Sequence, residues 1–325
     1  MRRAVVAGVG HHLPERVVEN AWFADQLGMD TSDEWIRSRS GIERRHFAAE
    51  GEVTSDLAVA AARRALADGG WAADDVDAIV VATSTPDLTF PATATIVQQK
   101  LGMTRGFAYD VQAVCAGFVF ALGNANALIV AGQADRVLVI GAETFSRILN
   151  WEDRTTAVLF GDGAGAVLLE AREGQGTSDD RGILAVDLHS DGRHRGILNV
   201  SGGVSSTGTA GHLTMQGREV FRHAVEKLHR STLDVCAKAG VSIDAIDRVV
   251  PHQANVRIIA KTADKLGVPM DKVVVTVADH GNTSAASIPL AMGVAKARGQ
   301  LNPGDLVVTE AIGGGLSWGA AAIRW

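Results

Sequence analysis

Of the two cysteines in the chain, Cys115 stands where chemistry could use a thiol. It lies in Tyr-Asp-Val-Gln-Ala-Val-Cys-Ala-Gly-Phe-Val-Phe, where strand-like residues give way to a long uncharged segment. A thiol in the first turn of a helix meets free N–H groups and the positive end of the helix dipole, so the thiolate is favoured, while burial acts the other way. Taken alone, a free cysteine is more often a small core residue. His252 ends the strand-like Asp-Arg-Val-Val-Pro and opens His-Gln-Ala-Asn-Val-Arg; Pro251 cannot donate to a strand ladder, so the chain must turn there. Asn282, in Asp-His-Gly-Asn-Thr-Ser-Ala-Ala-Ser-Ile-Pro, precedes a second uncharged segment, and as a lone residue it reads equally as a helix cap. The three gain weight together, because each falls at the carboxyl end of a strand-like run, where open α/β sheets gather their ligands. Gly313, Gly314 and Gly315 follow the last long strand. They form either a tight turn or a backbone close enough to a substrate for its N–H groups, with that of Cys115, to hold an oxyanion.

The elements that position these residues come in two copies. Residues 67–81, Ala-Asp-Gly-Gly-Trp-Ala-Ala-Asp-Asp-Val-Asp-Ala-Ile-Val-Val, resemble residues 237–251, Ala-Lys-Ala-Gly-Val-Ser-Ile-Asp-Ala-Ile-Asp-Arg-Val-Val-Pro, at an offset of 170. Gln-Lys-Leu-Gly (99–102) is answered by Asp-Lys-Leu-Gly (264–267), Arg-Val-Leu-Val-Ile-Gly (136–141) by residues 305–310, and residues 161–169 by 316–324. Helical and strand-like runs alternate in each copy, which makes an α/β protein of two halves, 1–172 with the cysteine and 173–325 with the histidine and asparagine. Val111–Ala134 and Gly281–Ala295 carry no formal charge. A helix apolar on all sides belongs in the middle of a fold, and two of them, one per half, fit between two facing sheets. Five layers are therefore expected: helices, sheet, the two buried helices, sheet, helices. The 111–134 stretch is long enough to span a membrane, but its glutamines, asparagines and glycines suit it poorly to lipid.

Composition sets the outer bounds. The chain has 325 residues, 46% hydrophobic and 21% charged, the balance of an ordinary globular protein of one large or two smaller domains. Its net charge of -6 speaks against nonspecific binding to nucleic acid or an anionic membrane. Two cysteines make no disulfide framework, and no CxxC or His-rich tract offers a metal site, which suits a cytoplasmic protein. There is no GxxxxGK[ST], and neither Gly8-Val9-Gly10 nor Gly161-Asp162-Gly163-Ala164-Gly165 completes a dinucleotide fingerprint.

At these residues the sequence resembles the thiolase-fold condensing enzymes, specifically the ketoacyl-ACP synthase III family of type II fatty acid synthesis. The likeness runs from Val6 to Trp325 through 31–42, the Cys115 segment, 160–166, 250–255, 280–287 and 313–319. It implies a thiolase-like αβαβα fold of duplicated halves and a Cys115, His252, Asn282 triad. It also implies acylation of Cys115 by acetyl-CoA, decarboxylation of malonyl-ACP, and condensation with the oxyanion held by the amides of Cys115 and Gly314. No cofactor or metal is implied, acyl-CoA being a substrate. The matching motifs carry over Trp35 as the adenine stack, Arg39 and Arg154 beside it, and Gly217 and Asn255 along the pantetheine channel. Phe90 is carried over as a residue reaching across a homodimer to the acyl pocket; on its own it would be ordinary core.

Arg257, Lys261 and Lys265 recur every four residues, so with Arg222 they are expected to dock the acidic acyl carrier protein, against the plainer reading of a solvated helix face. Cys236 is expected in the core. A degradative thiolase would carry a second reactive cysteine near the glycine-rich end, and elongating synthases use two histidines. The remaining alternatives are a starter-unit or acyl-transferring relative in polyketide assembly, and an inactive acyl-CoA-binding module.

Overall fold

A computed structural model describes all 325 residues. Two mixed sheets form its frame. The first is built from β1 (Arg2–His12), β2 (Ala78–Ala82), β3 (Phe107–Val111), β4 (Arg136–Glu143) and β5 (Gly163–Glu173), in the order β1-β5-β4-β2-β3. The second comprises β6 (Gly182–Ser190), β7 (Arg248–Pro251), β8 (Leu306–Gly313) and β9 (Ser317–Arg324), in the order β6-β9-β8-β7. The two follow one plan. In each, the first and last strands in the chain pair antiparallel, the last pairs antiparallel with the strand before it, and that strand runs parallel to the second. The fifth position, β3 in the first sheet, is reduced in the second to a single parallel bridge between Val249 and Val273.

Helices fill the expected layers. Along β2 and β4, alternate side chains point to opposite faces. Ile79, Val81, Leu138 and Ile140 pack with Leu57, Ala61 and Ala65 of α2 (Thr54–Gly69) and Val97 of α3 (Thr93–Leu101). Ala78, Val80, Val137 and Val139 face Phe118, Leu122 and Ile129 of α4 (Gly117–Val130) and Ile288, Ala291 and Met292 of α7 (Ser287–Ala297). Beyond them, Val307, Ala311 and Ala321 of the second sheet close the same central core. The outer face of that sheet, with Val249, Leu306 and Val308, is covered by α5 (Gly217–Ala239) and α6 (Val256–Leu266), where Cys236 is buried in the core. Both sheets are thus sandwiched by helices, which is why their strands read as nearly unbroken apolar runs.

One expectation needs correction. Gly281 to Gly293 is buried throughout, but α4 is not apolar and covered on every side. Asn124, Ala127 and Val130, three residues apart, form an exposed stripe. A helix at the edge of a central layer needs covering only where it meets sheet or helix, and uncharged residues satisfy both surroundings.

Candidate active site

A cavity of about 760 Å³ runs in from the surface between the two halves and is lined by Cys115, His252 and Asn282. All three are nearly covered, at 4%, 6% and 6% exposure. Cys115 occupies a 3₁₀ turn, Val114–Ala116, that leads straight into α4. Val114 is held at φ 50°, an uncommon state for a β-branched residue. Gly313, at the end of β8, makes the turn possible: a Cβ there would lie 2.7 Å from Ala113 O and Cys115 N. Burial pushes the Cys115 thiol up to about 12, although Ser284 and its own amide pull the other way. Burial thus acts against the helix-end effect, which favours a thiolate.

His252 follows β7, its N–H donating to Glu310 O at 2.8 Å. Its Nδ1 is 2.6 Å from Ser287 Oγ, and that oxygen also accepts the Gln253 N–H at 3.3 Å. With the Ser287 proton given to Nδ1, the ring's own proton sits on Nε2. Burial lowers the His252 pKa to about 3, so the ring is a neutral donor. Asn282 is fixed similarly. Its Oδ1 accepts the Ser284 N–H at 2.9 Å just ahead of a 3₁₀ turn, Ser284–Ala286, that precedes α7, and its Nδ2 is left as a donor.

The outer residues lie as follows. Trp35 and Arg39 share a face of α1 (Asp33–Ser40), whose Ser32 cap accepts the Trp35 N–H at 3.1 Å. Both line the cavity. The Arg39 and Arg154 guanidinia sit 4.6 and 5.0 Å from the Trp35 ring, and Arg154 also binds Asp30 at 3.0 Å. Gly217 opens α5 and lines the cavity, as does Asn255. The Asn255 side chain is already engaged, capping α6 through the Arg257 N–H at 2.8 Å and donating to Arg39 O at 2.9 Å. Gly314 is not on the cavity wall, but its N–H donates to no backbone acceptor.

Two expectations fare differently. Phe90 is neither core nor part of this cavity: it is 82% exposed, beside exposed Leu88. The basic face of α6 is largely neutralised by its neighbours. Lys261 pairs with Asp264 at 2.7 Å, Lys265 with Glu226, and Arg222 with Glu219 at 2.7 Å, which leaves Arg257 without a carboxylate. The carboxylates come from Asp264 within α6 and from Glu226 and Glu219 of α5, which the i, i+4 spacing of the basic residues does not show.

Sequence reasoning missed Ser287, Arg218 on the cavity rim, and the stacked pair Phe145 and Phe160, whose rings are 4.6 Å apart on the cavity wall. Ser287 was detectable as a hydroxyl one turn from Ser284 at a helix start. The aromatic pair gave no signal, because its members are 15 residues apart in different elements. Outside the cavity, Asp187, His189 and Asp234 come within 4.8 Å of one another, but Asp187 is taken by Lys238 at 2.6 Å and Ser231 at 2.7 Å.

The duplicated five-layered fold, with this cavity at the meeting of its halves, defines a thiolase-fold condensing enzyme. Residues 109–192 match the family described as 3-oxoacyl-[acyl-carrier-protein (ACP)] synthase III, and residues 236–325 match its C-terminal counterpart. The chain is 70% identical over its whole length to a beta-ketoacyl-[acyl-carrier-protein] synthase III of Ruegeria sp. (strain TM1040), covering 99% of it. It superimposes on the crystal structure of 3-oxoacyl-[acyl-carrier-protein] synthase III from Aquifex aeolicus VF5 with a TM-score of 0.92 at 41% identity, covering 99% of this chain and 100% of that one. The priming beta-ketosynthase of the R1128 polyketide pathway gives the same TM-score at 34% identity, over 99% and 96% of the two chains. The chain belongs to the beta-ketoacyl-ACP synthase III family, the condensing acyltransferases that initiate fatty acid synthesis.

Proposed function

We propose that Cys115 accepts the acyl group of acetyl-CoA or another short acyl-CoA, and that this group is condensed with malonyl-ACP to give 3-oxoacyl-ACP, CoA and CO2. The observation that carries the reading is the meeting of Cys115, His252 and Asn282, from three separate elements, in one cavity. Cys115 attacks the thioester and expels CoA. Loss of CO2 from the malonyl group leaves an enolate oxygen within about 3 Å of His252 Nε2–H and Asn282 Nδ2–H. Both donors are neutral and held from behind, so they stabilise the charge without needing to reorient. The enolate carbon then attacks the acyl-cysteine, and the amides of Cys115 and Gly314 hold the tetrahedral oxyanion. Neither half-reaction calls on a metal or redox cofactor.

The mouth of the cavity suits CoA. Adenine would stack on Trp35 once a guanidinium moves aside, and Arg39, Arg218 and Arg257, none with a carboxylate partner, would meet the phosphates. Gly217 and Asn255 would flank the pantetheine arm. A second copy of the chain would cover Leu88, Phe90 and the exposed edge of β3, bringing Phe90 to its partner's acyl pocket. This homodimer would meet acyl carrier protein at the Arg257 rim.

Incubation with acetyl-CoA followed by intact mass tests the central step. A gain of one acetyl group, lost in Cys115→Ala, is expected. No adduct with any short acyl-CoA would favour a binding module instead, and a preference for longer or branched starters across an acyl-CoA panel would favour the polyketide-type relative.

A further inference from the structure

Arg45, in the short strand Arg44–Phe47, is fully buried, and no carboxylate pairs with it. Its guanidinium donates to Val18 O at 3.2 Å and Val158 O at 2.5 Å and lies 4.7 Å from the Phe23 ring, while its Nε–H has no acceptor. A buried charge held only by carbonyls is costly, so its place in the fold calls for a reason. Asp162 poses the same question with the opposite sign. It too is fully buried, and its carboxylate accepts the Ala48 N–H at 2.8 Å, the Ser146 N–H at 2.8 Å and the Ser146 hydroxyl at 2.6 Å.

The two charges pin the ends of one segment, Val158–Asp162, and the middle of that segment holds Asn282. Leu159 O accepts the Asn282 N–H at 2.8 Å, Asn282 O accepts the Gly161 N–H at 3.0 Å, and Phe160 and Asn282 form a parallel bridge. The Arg44–Phe47 strand braces both sides of this junction. Glu43 N–H donates to Ala278 O at 2.8 Å, in the one-turn helix before Asn282, and His46 O accepts the Asp162 N–H at 2.8 Å. The Arg45 stem packs against the residues flanking the bridge: a Cβ on Gly161 or on Gly281 would lie 3.0 Å from Arg45 Cβ, so glycine at both positions permits the close approach.

We propose that Arg45 and Asp162 are positioning residues for decarboxylation: they fix the backbone that carries Asn282, and with it the place of the Nδ2–H donor. The Asn282 side chain is tied only to the Ser284 N–H, two residues along the same chain, so that bond sets the rotation of the amide and not where the residue stands. Its location is set by the bridge to 158–162. A donor to the developing enolate must sit about 3 Å from the oxygen, and a misplacement of about 1 Å costs up to 10²-fold in rate. His252 stands outside this brace, its backbone N–H bound to Glu310 O and its ring to Ser287. Neither Arg45 nor Asp162 lines the cavity, so both act through Asn282 and not on the substrate.

The inference rests on the reading of Asn282 as a donor to the enolate. Its test separates the half-reactions in Arg45→Met, which keeps an unbranched stem without the guanidinium, in Arg45→Lys and in Asp162→Asn. Each should take up the acetyl group of acetyl-CoA within about threefold of the native rate, read by intact mass. The kcat for CO2 release from malonyl-ACP should fall about 10- to 30-fold in Arg45→Met and Asp162→Asn with KM unchanged, and less in Arg45→Lys, whose ammonium still reaches a carbonyl. Leu57→Ala, a truncation in the core on the outer side of the first sheet, should lower the Tm comparably and change neither half-reaction. Should Arg45→Met fail to fold, Arg45→Lys and Asp162→Asn decide. Equal slowing of both half-reactions, a rise in KM alone, or native CO2 release from the folded variants overturns the brace. Normal CO2 release from Asn282→Ala overturns the reading of Asn282 on which it rests.

Discussion

The turns at 114–116 and 284–286 are the same piece of backbone used twice, and one of them carries sulfur. Both are 3₁₀ turns feeding a central helix, and both begin with a residue at positive φ, 50° for Val114 and 48° for Ser284. Each is packed against a glycine of the opposite half. A Cβ on Gly313 would come within 2.7 Å of Cys115 N, and one on Gly141 within 2.2 Å of Ala285 O. The middle residue is Cys115 in one turn and Ala285 in the other. Duplication therefore supplies the strained turn and the helix start to both halves, while the chemistry is divided. One copy holds the thiol; the other holds Asn282 just before its turn and Ser287 just after it. Positive φ marks a place where a fold can present a group, and the side chain decides whether it does.

The strongest way to break this comparison is to separate the two half-reactions. His252→Ala and Asn282→Ala should still acquire an acetyl group, since neither touches the sulfur's attack. Each should release CO2 from malonyl-ACP about 10² to 10³ times more slowly, the usual cost of removing one donor from a developing oxyanion. Normal CO2 release from both variants would show that the second turn and the histidine have no part in decarboxylation. Moving the thiol, with Cys115→Ala combined with Ala285→Cys, should give no acetyl adduct, because Ala285 is buried and does not line the cavity.

A smaller effect sharpens the same contrast. Gly141→Ala and Gly313→Ala each force a methyl group against backbone, and each should lose roughly 1–3 kcal/mol of stability, seen as a lower Tm. Only Gly313→Ala displaces the Cys115 amide, so it should also slow acetylation severalfold in the fraction that stays folded. An equal slowing by Gly141→Ala would mean that the two turns are mechanically coupled.

Sequence made the scaffold legible because duplication repeats its signals: one segment recurs at an offset of 170 residues, later matches follow in the same order, and two uncharged segments call for a central layer. Cys115 and His252 were legible because each follows a strand, whereas Asn282 follows not the expected strand but a one-turn helix, Val277–His280, and was legible only from its place before the second uncharged segment. Ser287 was less so, because a hydroxyl beside a helix start reads as a cap. The exposed stripe on α4 was hidden because Asn124, Ala127 and Val130 are neutral residues that suit either surrounding.

The least expected loss separates residues that periodicity had grouped. Lys261 lies on the same face of α6 as Arg257 and both are exposed, but Lys261 is already paired with Asp264 at 2.7 Å. Exposed pairs of this kind contribute at most about 1 kcal/mol and offer little uncompensated charge to a partner. Arg257 lines the cavity and has no carboxylate, with its guanidinium 5.9 Å from the Phe221 ring. Charge reversal at Arg257 should raise the KM for malonyl-ACP about threefold to tenfold, an effect that shrinks as salt screens the approach. Lys261→Glu should change it less than twofold. Equal increases would restore the continuous basic face expected from the i, i+4 spacing, and an unchanged KM in both would move carrier docking away from α6 altogether.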